Sequence, residues 1–213
     1  EAAVRLDGRT LDYGCGLGAY TERFATYGGQ AFGFDVEEER LQLAIPRSAG
    51  VTLAVGEALS YADNTFDTVF SNEVIEHVAD DRLAIAEMVR VTKVGGRIFI
   101  FCPNRWYPVE QHGIYWRGKY KFGNIPLVNY LPDPVRNRLA PHVRTYTKHG
   151  LLSLFDELPA RVVEYARIFG GYDNIEHRLP VSGKMLKRFI YALEATPLNV
   201  LGLSHLLVME KVE

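Results

Sequence analysis

Short apolar runs alternate with amphipathic stretches over the first hundred residues of the chain. The runs typical of strands are RTLDYG, QAFGFD, VTLAV, FDTVFSN and GRIFIFC. Helical spacing of apolar residues lies between them, at about 19–27, 37–47 and 80–92. Two of the runs, FDTVF and RIFIF, are almost continuously apolar, as strands buried on both faces are. The pattern therefore predicts an α/β fold with a doubly wound, mostly parallel sheet.

The alternation stops after the fifth strand. Residues 103–147 contain six prolines and many aromatic residues, so we expect an insertion with a small core of its own rather than a linker. Helical spacing returns after the insertion, in TKHGLLSLFDEL and GKMLKRFIYALEAT. Polar and apolar residues alternate in ARVVEYARIF and SHLLVMEKV, as they do in strands near a sheet edge. A length of 213 residues fits one sizeable domain, so we expect a single domain over 1–213 with 103–147 as an inserted lid.

Composition and charge exclude several classes of protein. The chain is 47% hydrophobic and 23% charged, as globular proteins are, and its net charge of −2 gives no global attraction to nucleic acid or membranes. Only two cysteines are present, Cys15 and Cys102, which favours a reducing, cytoplasmic location. No apolar run reaches the roughly 18 residues of a membrane span, and no signal peptide is recognisable. Because the chain begins at Glu1 and a strand follows almost at once, we expect a natural N-terminal segment to precede it.

The most informative stretch is LDYGCGLGAY, where an acid and three glycines lie between the first strand and the first helix. Ligands of open α/β sheets bind at the carboxyl ends of the strands, and glycines there allow positive φ and close approach of the backbone. Gly14, Gly16 and Ala19 also satisfy the G-x-G-x-x-A dinucleotide fingerprint, so the glycines alone do not identify the ligand. A P-loop is excluded because no Lys-Ser or Lys-Thr follows them.

Two acids narrow the choice of nucleotide. Asp12, two residues before Gly14, would repel a pyrophosphate, which needs the positive end of a helix. The same carboxylate suits a ligand with an ammonium, a sulfonium and no phosphate, as in S-adenosylmethionine. Asp35, at the end of GFD, can accept hydrogen bonds from both ribose hydroxyls, which NAD and S-adenosylmethionine share. S-adenosylmethionine is therefore the predicted cofactor.

Four segments in order, LDYGCGLG, GFDVEEERL, ADNTFDTVFSNEVIEHV and VGGRIFIFCPN, resemble the class I S-adenosylmethionine-dependent methyltransferases, in the branch with many small-molecule O-methyltransferases. The resemblance is close over residues 9–104 and loose beyond them. It implies a seven-stranded sheet in the order 3-2-1-4-5-7-6 with an antiparallel last strand. It also implies a set of cofactor-binding residues near the ends of the first four strands, namely Asp12, Gly14, Cys15, Gly16, Gly18, Asp35, Val36, Gly56, Glu57 and Asn72.

One position departs from this family. Many relatives have an Asp after the third strand that contacts the adenine amino group, and the gapless reading of AVGEALSY puts Val55 there. Backbone groups of Gly56 and Glu57, or the Glu57 side chain, would then make the adenine contacts. Glu57 is equally compatible with a plain solvated acid.

The stretch SNEVIEHVAD follows the fourth strand, beside the expected cofactor. If a helical turn begins there, Glu73, Glu76 and His77 share one face, and the valines and isoleucine around them pack inward. In one interpretation His77 is a general base for an acceptor hydroxyl, oriented by Glu73 or Glu76. In a second, the three residues bind a divalent metal, as in the ubiquinone-pathway and small-RNA O-methyltransferases that the spacing resembles, with His142 as a later ligand. In a third, they form a polar network that fixes the start of the helix.

The insertion is locally basic. Residues 103–150 hold eight Lys or Arg but two acids, with aromatic residues interleaved. Such a surface could recognise an anionic acceptor, stack on sugar or base rings, or rest on a membrane surface. Alternatively, the aromatic residues form a satellite core and the cations are solvated. His112 is expected to form a hydrogen bond within the lid rather than to ligate a metal.

The residues and the resemblance together predict an enzyme that transfers a methyl group from S-adenosylmethionine to an oxygen of a small molecule. We expect an anionic, lipid-like or sugar-containing acceptor, no stable nucleic-acid partner, at most peripheral membrane contact and no metal. Metal-assisted RNA 2′-O-methylation and a non-catalytic, cofactor-binding scaffold are the alternatives.

Overall fold

The structure is a computed structural model that describes residues 6–170 and 180–213. The chain divides into two compact units. The first, here called the sheet unit, comprises residues 1–102, 149–165 and 207–213. The second, the insertion unit, comprises residues 103–148 and 166–206, so it contains the predicted insertion together with a later part of the chain. That the whole chain acts as one domain with 103–147 as its lid stays a prediction.

Strands and helices alternate over the first hundred residues as predicted. They are β1 (Arg9–Tyr13), α1 (Ala19–Ala25), β2 (Gln30–Asp35), α2 (Glu38–Ala44), β3 (Gly50–Leu53), β4 (Phe66–Asn72), α3 (Asp81–Val91) and β5 (Thr92–Pro103). Helix α2 ends earlier than predicted and continues as a short 3-10 helix, Ile45–Arg47. The reason is Pro46, which has no amide hydrogen to continue the α-helical ladder.

The remaining elements are short in the insertion and longer after it. They are β6 (Val109–Glu110), β7 (Ile114–Trp116), β8 (Lys119–Lys121), β9 (Ile125–Pro126), α4 (Asp133–Leu139), α5 (Lys148–Leu152), β10 (Ala160–Ile168), α6 (Pro180–Glu194) and β11 (Ser204–Lys211). The two late helices and the two late strands occur where the sequence predicts them. Within the described residues, none of the helices is both long enough and apolar enough to cross a bilayer.

The main sheet has seven strands in the order β10-β11-β5-β4-β1-β2-β3. With β10 and β11 counted as its sixth and seventh strands, this is the predicted order 3-2-1-4-5-7-6, which is confirmed. The pairs β1–β2, β2–β3, β1–β4 and β4–β5 are parallel. The strand order reverses between β1 and β4, and ligands of such sheets bind beside the carboxyl ends of the strands at that switch point.

The core of the sheet unit lies between the central strands and α3. Its fully buried side chains include Leu11, Tyr13, Val69, Ile85, Met88, Ile98 and Ile100. Burial of each contributes roughly 1.5–3 kcal/mol relative to exposure. The central strands are therefore firmly held, and so are the loops that leave their carboxyl ends.

The insertion unit has polar anchors as well as a small core, as expected. Ile114, Val128, Ala140, Val143 and Tyr146 are its buried apolar residues. Glu110 and Arg136 are both 1% exposed and form an ion pair of 2.8 Å. Burial alone would raise the pKa of Glu110, but hydrogen bonds from His112 and the charge of Arg136 lower it to about 2. Two cations of the predicted basic surface are thus structural, because Arg105 likewise pairs with Asp133 at 2.7 Å.

Candidate active site

The loop from β1 to α1 turns on three glycines with positive φ. The φ angles of Gly14, Gly16 and Gly18 are 76°, 51° and 78°. A Cβ atom on Gly14 would lie 2.6 Å from a methyl group of Val74, and one on Gly18 would lie 2.9 Å from Ala44 Cβ. A Cβ on Gly16 would meet nothing within 4 Å. Packing therefore requires glycine at the first and third positions, while Gly16 borders open space that a ligand can enter.

Two predicted cofactor residues of this loop face the interior. Asp12 is 3% exposed and accepts a hydrogen bond of 2.6 Å from the Thr21 hydroxyl. Burial raises the pKa of Asp12 to about 6, despite the opposing effect of that hydrogen bond. Cys15 is buried against Leu41 and Ala44, and burial raises the pKa of its thiol to about 12. Both side chains support the loop from beneath, and their contact with the cofactor stays a prediction.

A cavity of about 500 Å³ lies where the carboxyl ends of β1, β2 and β4 meet. Six of the predicted site residues line it, namely Gly14, Asp35, Val36, Gly56, Glu57 and His77. The rest of the wall is largely apolar and includes Phe34, Val55, Val74, Val78 and Leu83. Its volume falls in the range of small-molecule sites, and an apolar wall with few polar groups is typical of them. Gly16, Gly18 and Asn72, also predicted as cofactor residues, are not part of this wall.

The Asp35 carboxylate has a fixed orientation at the end of β2. One of its oxygens accepts a hydrogen bond of 2.9 Å from the Gly16 amide, and the other accepts one of 3.0 Å from the Glu37 amide. A carboxylate offers about four lone-pair positions, so both oxygens can still accept hydrogen bonds from a ribose.

Glu57 holds the turn that follows β4, and its contact with the cofactor stays a prediction. One of its carboxylate oxygens accepts hydrogen bonds from the amides of Ala79 at 2.7 Å and Asp80 at 3.0 Å. Asp80 in turn caps α3, because its side chain accepts bonds of 3.0 Å from the amides of Arg82 and Leu83. Two carboxylates thus hold the turn between β4 and α3.

Val55 lies in the cavity wall and is 50% exposed. Its isopropyl group offers no acceptor to an adenine amino group, in agreement with the departure from the family pattern. Next to it, a Cβ on Gly56 would collide with the Tyr13 hydroxyl, so the backbone itself forms this part of the wall.

The turn from Glu73 to Asp80 is not the helical turn that the spacing predicts. Glu73 has a φ of 55°, and the amide of His77 donates to the carbonyl of Val74 over 2.9 Å, while α3 starts only at Asp81. Glu76 is consequently 1% exposed, whereas the His77 side chain is 44% exposed and lines the cavity. The prediction of one shared face is therefore wrong.

The apolar residues of this turn also differ from the prediction. Ile75 is buried as expected, but Val74 and Val78 line the cavity. No sequence signal distinguishes them from core residues, since the positive φ of Glu73 reverses the chain direction locally. These two valines are among the cavity residues that sequence reasoning missed, together with Phe34, Ala79, Asp80 and Leu83.

Glu76 and His77 remain close enough to interact. Nε2 of His77 lies 3.8 Å from a carboxylate oxygen of Glu76. Burial raises the pKa of Glu76 well above its usual value, and the charge of Glu73 raises it further. The arrangement places His77 outward at the cavity and Glu76 buried behind it.

His142 belongs to the insertion unit. Its Nε2 donates a 3.1 Å hydrogen bond to the carbonyl of His112, and its ring packs against Tyr115 and Tyr120. Because a carbonyl only accepts, Nε2 carries the proton and leaves Nδ1 as the atom that could ligate a metal. The metal set of Glu73, Glu76, His77 and His142 stays a prediction. His112 does form the expected hydrogen bond within the insertion, with Glu110 at 3.0 Å.

A second cavity, of about 380 Å³, lies at the opposite, amino-terminal end of the parallel strands. Asp67 and Lys93, near the amino ends of β4 and β5, line it and form an ion pair of 2.8 Å. Ligands of parallel sheets bind at the carboxyl ends, and this cavity does not lie at the switch point, so the first cavity is the candidate site.

Comparisons with known proteins agree with this geometry. The sequence profile of a family described as "Methyltransferase domain" matches residues 11–100. A crystal structure of an S-adenosylmethionine-dependent methyltransferase from Mesorhizobium loti superimposes with a TM-score of 0.64 over 95% of this chain and 90% of that one, at 17% identity. Residues 11–100 are therefore a methyltransferase domain, and the chain has the fold of S-adenosylmethionine-dependent methyltransferases. The predicted family and cofactor are thereby confirmed.

Other methyltransferase-like structures share the fold at low identity. The putative methyltransferase bound to the Haloferax volcanii activator Trm112 has a TM-score of 0.66, with 16% identity over 99% of this chain and 85% of that one. The [4+2]-cyclase SpnF has a TM-score of 0.62, with 18% identity over 98% and 77%. Likenesses at this level show the fold alone, and the cyclase illustrates that the methyltransferase fold also carries other reactions.

Curated relatives of the methyltransferase domain are closer in sequence. The ubiquinone biosynthesis O-methyltransferase of Rhizobium johnstonii is 35% identical over 151 residues, which cover 63% of this chain and 61% of the relative. The enzyme of the same name from Methylococcus capsulatus is 37% identical over 113 residues, which cover 49% of this chain and 48% of the relative. The chain thus spans about half the length of the curated relatives it matches.

The residues of the cavity fit S-adenosylmethionine. The open space beside Gly16 allows close approach to the loop, Asp35 is oriented for ribose hydroxyls, and the apolar wall offers a surface to a purine ring. No phosphate-binding lysine is required, since this cofactor has no phosphate. The individual assignments of cofactor residues stay predictions.

Proposed function

We propose that this protein transfers a methyl group from S-adenosylmethionine to an oxygen of a small molecule. The observation that carries the proposal is that Asp35 and His77 line the same cavity at the switch point of a methyltransferase sheet. The names of the curated relatives, which are O-methyltransferases of ubiquinone biosynthesis, support an oxygen acceptor.

In this proposal the cofactor is held by backbone and by one carboxylate. Gly14 and Gly16 approach its amino-acid part, and Asp35 binds the ribose hydroxyls. Val36 and Val55 pack on the base, with the backbone of Gly56 beside them. When bound, S-adenosylmethionine supplies an electrophilic methyl group on sulfur.

His77 is the proposed base. Its imidazole lines the cavity, and a free histidine titrates near neutral pH. A phenolic hydroxyl, with a pKa of about 10, is within reach of such a base, whereas an aliphatic alcohol is far less acidic. Glu76 lies behind the ring and Glu57 holds the turn, so both act by positioning. Most of the rate enhancement then comes from alignment of the acceptor oxygen and from exclusion of water.

The acceptor class follows from the same argument. A phenolic ring is favoured by the acidity of its hydroxyl, and an anionic or lipid-like substituent would agree with the basic, aromatic insertion. A cytoplasmic location is retained as a prediction, supported by Cys15 and Cys102, which are both free and buried.

The test is transfer of radiolabelled methyl groups from S-adenosylmethionine to a panel of catechols, alkyl phenols and aliphatic alcohols. We expect label in the phenolic acceptors and a loss of about a hundredfold in kcat for His77→Ala, with cofactor affinity unchanged. His149→Ala serves as the matched control, since it removes an imidazole outside the cavity. Label only in amines, or only in added RNA with loss of activity to a chelator, would contradict the proposal.

A further inference from the structure

Helix α6 presents its apolar side to solvent. Met185, Leu186 and Phe189 are 70%, 44% and 64% exposed. With Ile190 and Leu193, they occupy one continuous arc of about 140° on the helix at 3.6 residues per turn. Apolar side chains of a surface helix normally face the core, so this helix has an apolar face that needs a partner.

The remaining side of α6 is positively charged. Lys184 and Arg188 are exposed and flank Met185 on the helix, whereas Ile190 and Leu193 are partly buried. The one acid in the helix is Glu194, at its end, and its carboxylate accepts a 2.9 Å hydrogen bond from the Phe169 amide. A helix with Phe, Leu and Met on one side and Lys and Arg on the other has the composition of helices that lie in the plane of a membrane interface.

The length of the helix agrees with that orientation. Fifteen residues extend about 22 Å, which is less than the roughly 30 Å of a bilayer's hydrocarbon core. The helix can therefore lie along a bilayer surface but cannot cross it. A second copy of the chain is a poorer partner, because pairing of two such helices would bring their lysines and arginines together without acids to neutralise them.

We propose that α6 docks on an anionic lipid bilayer, with Met185, Leu186 and Phe189 in the headgroup region and Lys184 and Arg188 against the lipid phosphates. None of these residues lines the cavity of the sheet unit, so the proposal does not depend on the identity of the methyl acceptor. It places the enzyme where lipid-like substrates occur.

The test is cosedimentation of the full chain with vesicles of phosphatidylcholine alone or mixed with phosphatidylglycerol. We expect binding to the anionic vesicles that weakens as salt is raised, and little binding to neutral ones. Met185→Gln with Phe189→Gln, and separately Lys184→Gln with Arg188→Gln, should each weaken binding by about tenfold or more. These side chains are exposed or flank the exposed face, and glutamine is a good helix former, so the melting temperature should not change.

The matched control is Lys119→Gln with Lys121→Gln in the β7–β8 hairpin. It removes the same number of charges from exposed positions of the insertion unit, and it should leave vesicle binding nearly intact. Equal losses in the hairpin variant, equal binding to neutral vesicles, or wild-type binding by both helix variants would each overturn the proposal. So would a dimer, detected by sedimentation velocity, that disappears in Met185→Gln with Phe189→Gln while vesicle binding is absent.

Discussion

Removal of the Glu57 carboxylate should loosen the turn that carries His77. In the wild type, Glu57 accepts hydrogen bonds of 2.7 and 3.0 Å from the amides of Ala79 and Asp80. Loss of a side-chain acceptor at a comparable helix start costs about 1 kcal/mol, within a range of roughly 0.5–2. We therefore expect Glu57→Ala to lower the free energy of unfolding by about 1–2 kcal/mol. The loss should not be larger, because Asp80 still caps α3.

The effect on catalysis should exceed the effect on stability. Once the amides of Ala79 and Asp80 bond to water instead, the turn gains freedom three residues from His77. A displacement of about 1 Å at a catalytic group can reduce the rate a hundredfold. We expect kcat of Glu57→Ala to fall by about ten- to a hundredfold, with a smaller change in KM for S-adenosylmethionine.

The assay combines urea unfolding with steady-state methyl transfer, and Glu57→Gln is the matched control. Glutamine keeps an acceptor oxygen at the same distance along the side chain, so it should retain most of the wild-type kcat. A rise in KM for S-adenosylmethionine with an unchanged kcat would refute this reasoning, because it would make Glu57 a cofactor ligand. Wild-type kcat and KM for Glu57→Ala would mean that Glu57 is only a solvated acid.

Three further predictions concern the loop and the two units. Gly16→Val should abolish binding of S-adenosylhomocysteine in calorimetry, whereas Gly14→Ala should mainly lower the melting temperature, since its Cβ would overlap Val74. Asp12 has a raised pKa, so between about pH 4 and 6 the folded state holds a proton that the unfolded state has lost, and stability falls as pH rises. Asp12→Asn should abolish this fall of the urea midpoint between about pH 4 and 6. An unchanged fall would contradict the raised pKa of Asp12. Glu110→Gln should destabilise the protein by about 3–5 kcal/mol by leaving a buried arginine without its partner, and a wild-type unfolding free energy would count against a buried ion pair.

The Glu110 pair also has a pH dependence of opposite sign. The pKa of Glu110 is lowered from 4.5 to about 2 in the folded state. Its contribution to the free energy of unfolding is therefore fully present above about pH 4.5 and is lost as the pH falls toward 2.

The fold could be predicted from sequence because its signals are local and repeated. Apolar strands and amphipathic helices alternate, and Gly14 and Gly18 are required because a Cβ atom at either position would overlap Val74 or Ala44. Asp35 was predictable for the same reason, since the end of a parallel strand fixes where its side chain lies. The small sheets of the insertion were not, because strands of two or three residues are too short to show a period.

The turn after β4 could not be predicted, since its cause is remote in sequence. The spacing of Glu73, Glu76 and His77 is helical, but the positive φ of Glu73 imposes another conformation. So do the hydrogen bonds that Glu57 accepts from the amides of Ala79 and Asp80, more than twenty residues later in the chain. Asp12 shows a similar limit. Its position in the motif predicts a ligand contact, but does not reveal that its carboxylate also accepts a hydrogen bond from Thr21, in the first turn of α1.

The account depends most directly on the cavity beside Asp35 being the cofactor site. The decisive measurement is the calorimetric affinity of S-adenosylhomocysteine for the wild type, for Asp35→Ala and for Glu39→Gln, an exposed acid of α2 that lies outside the cavity wall. We predict binding to the wild type and to Glu39→Gln with equal affinity, and a loss of about tenfold or more for Asp35→Ala. Equal affinity for all three proteins, or none for the wild type, would contradict the assignment of the site.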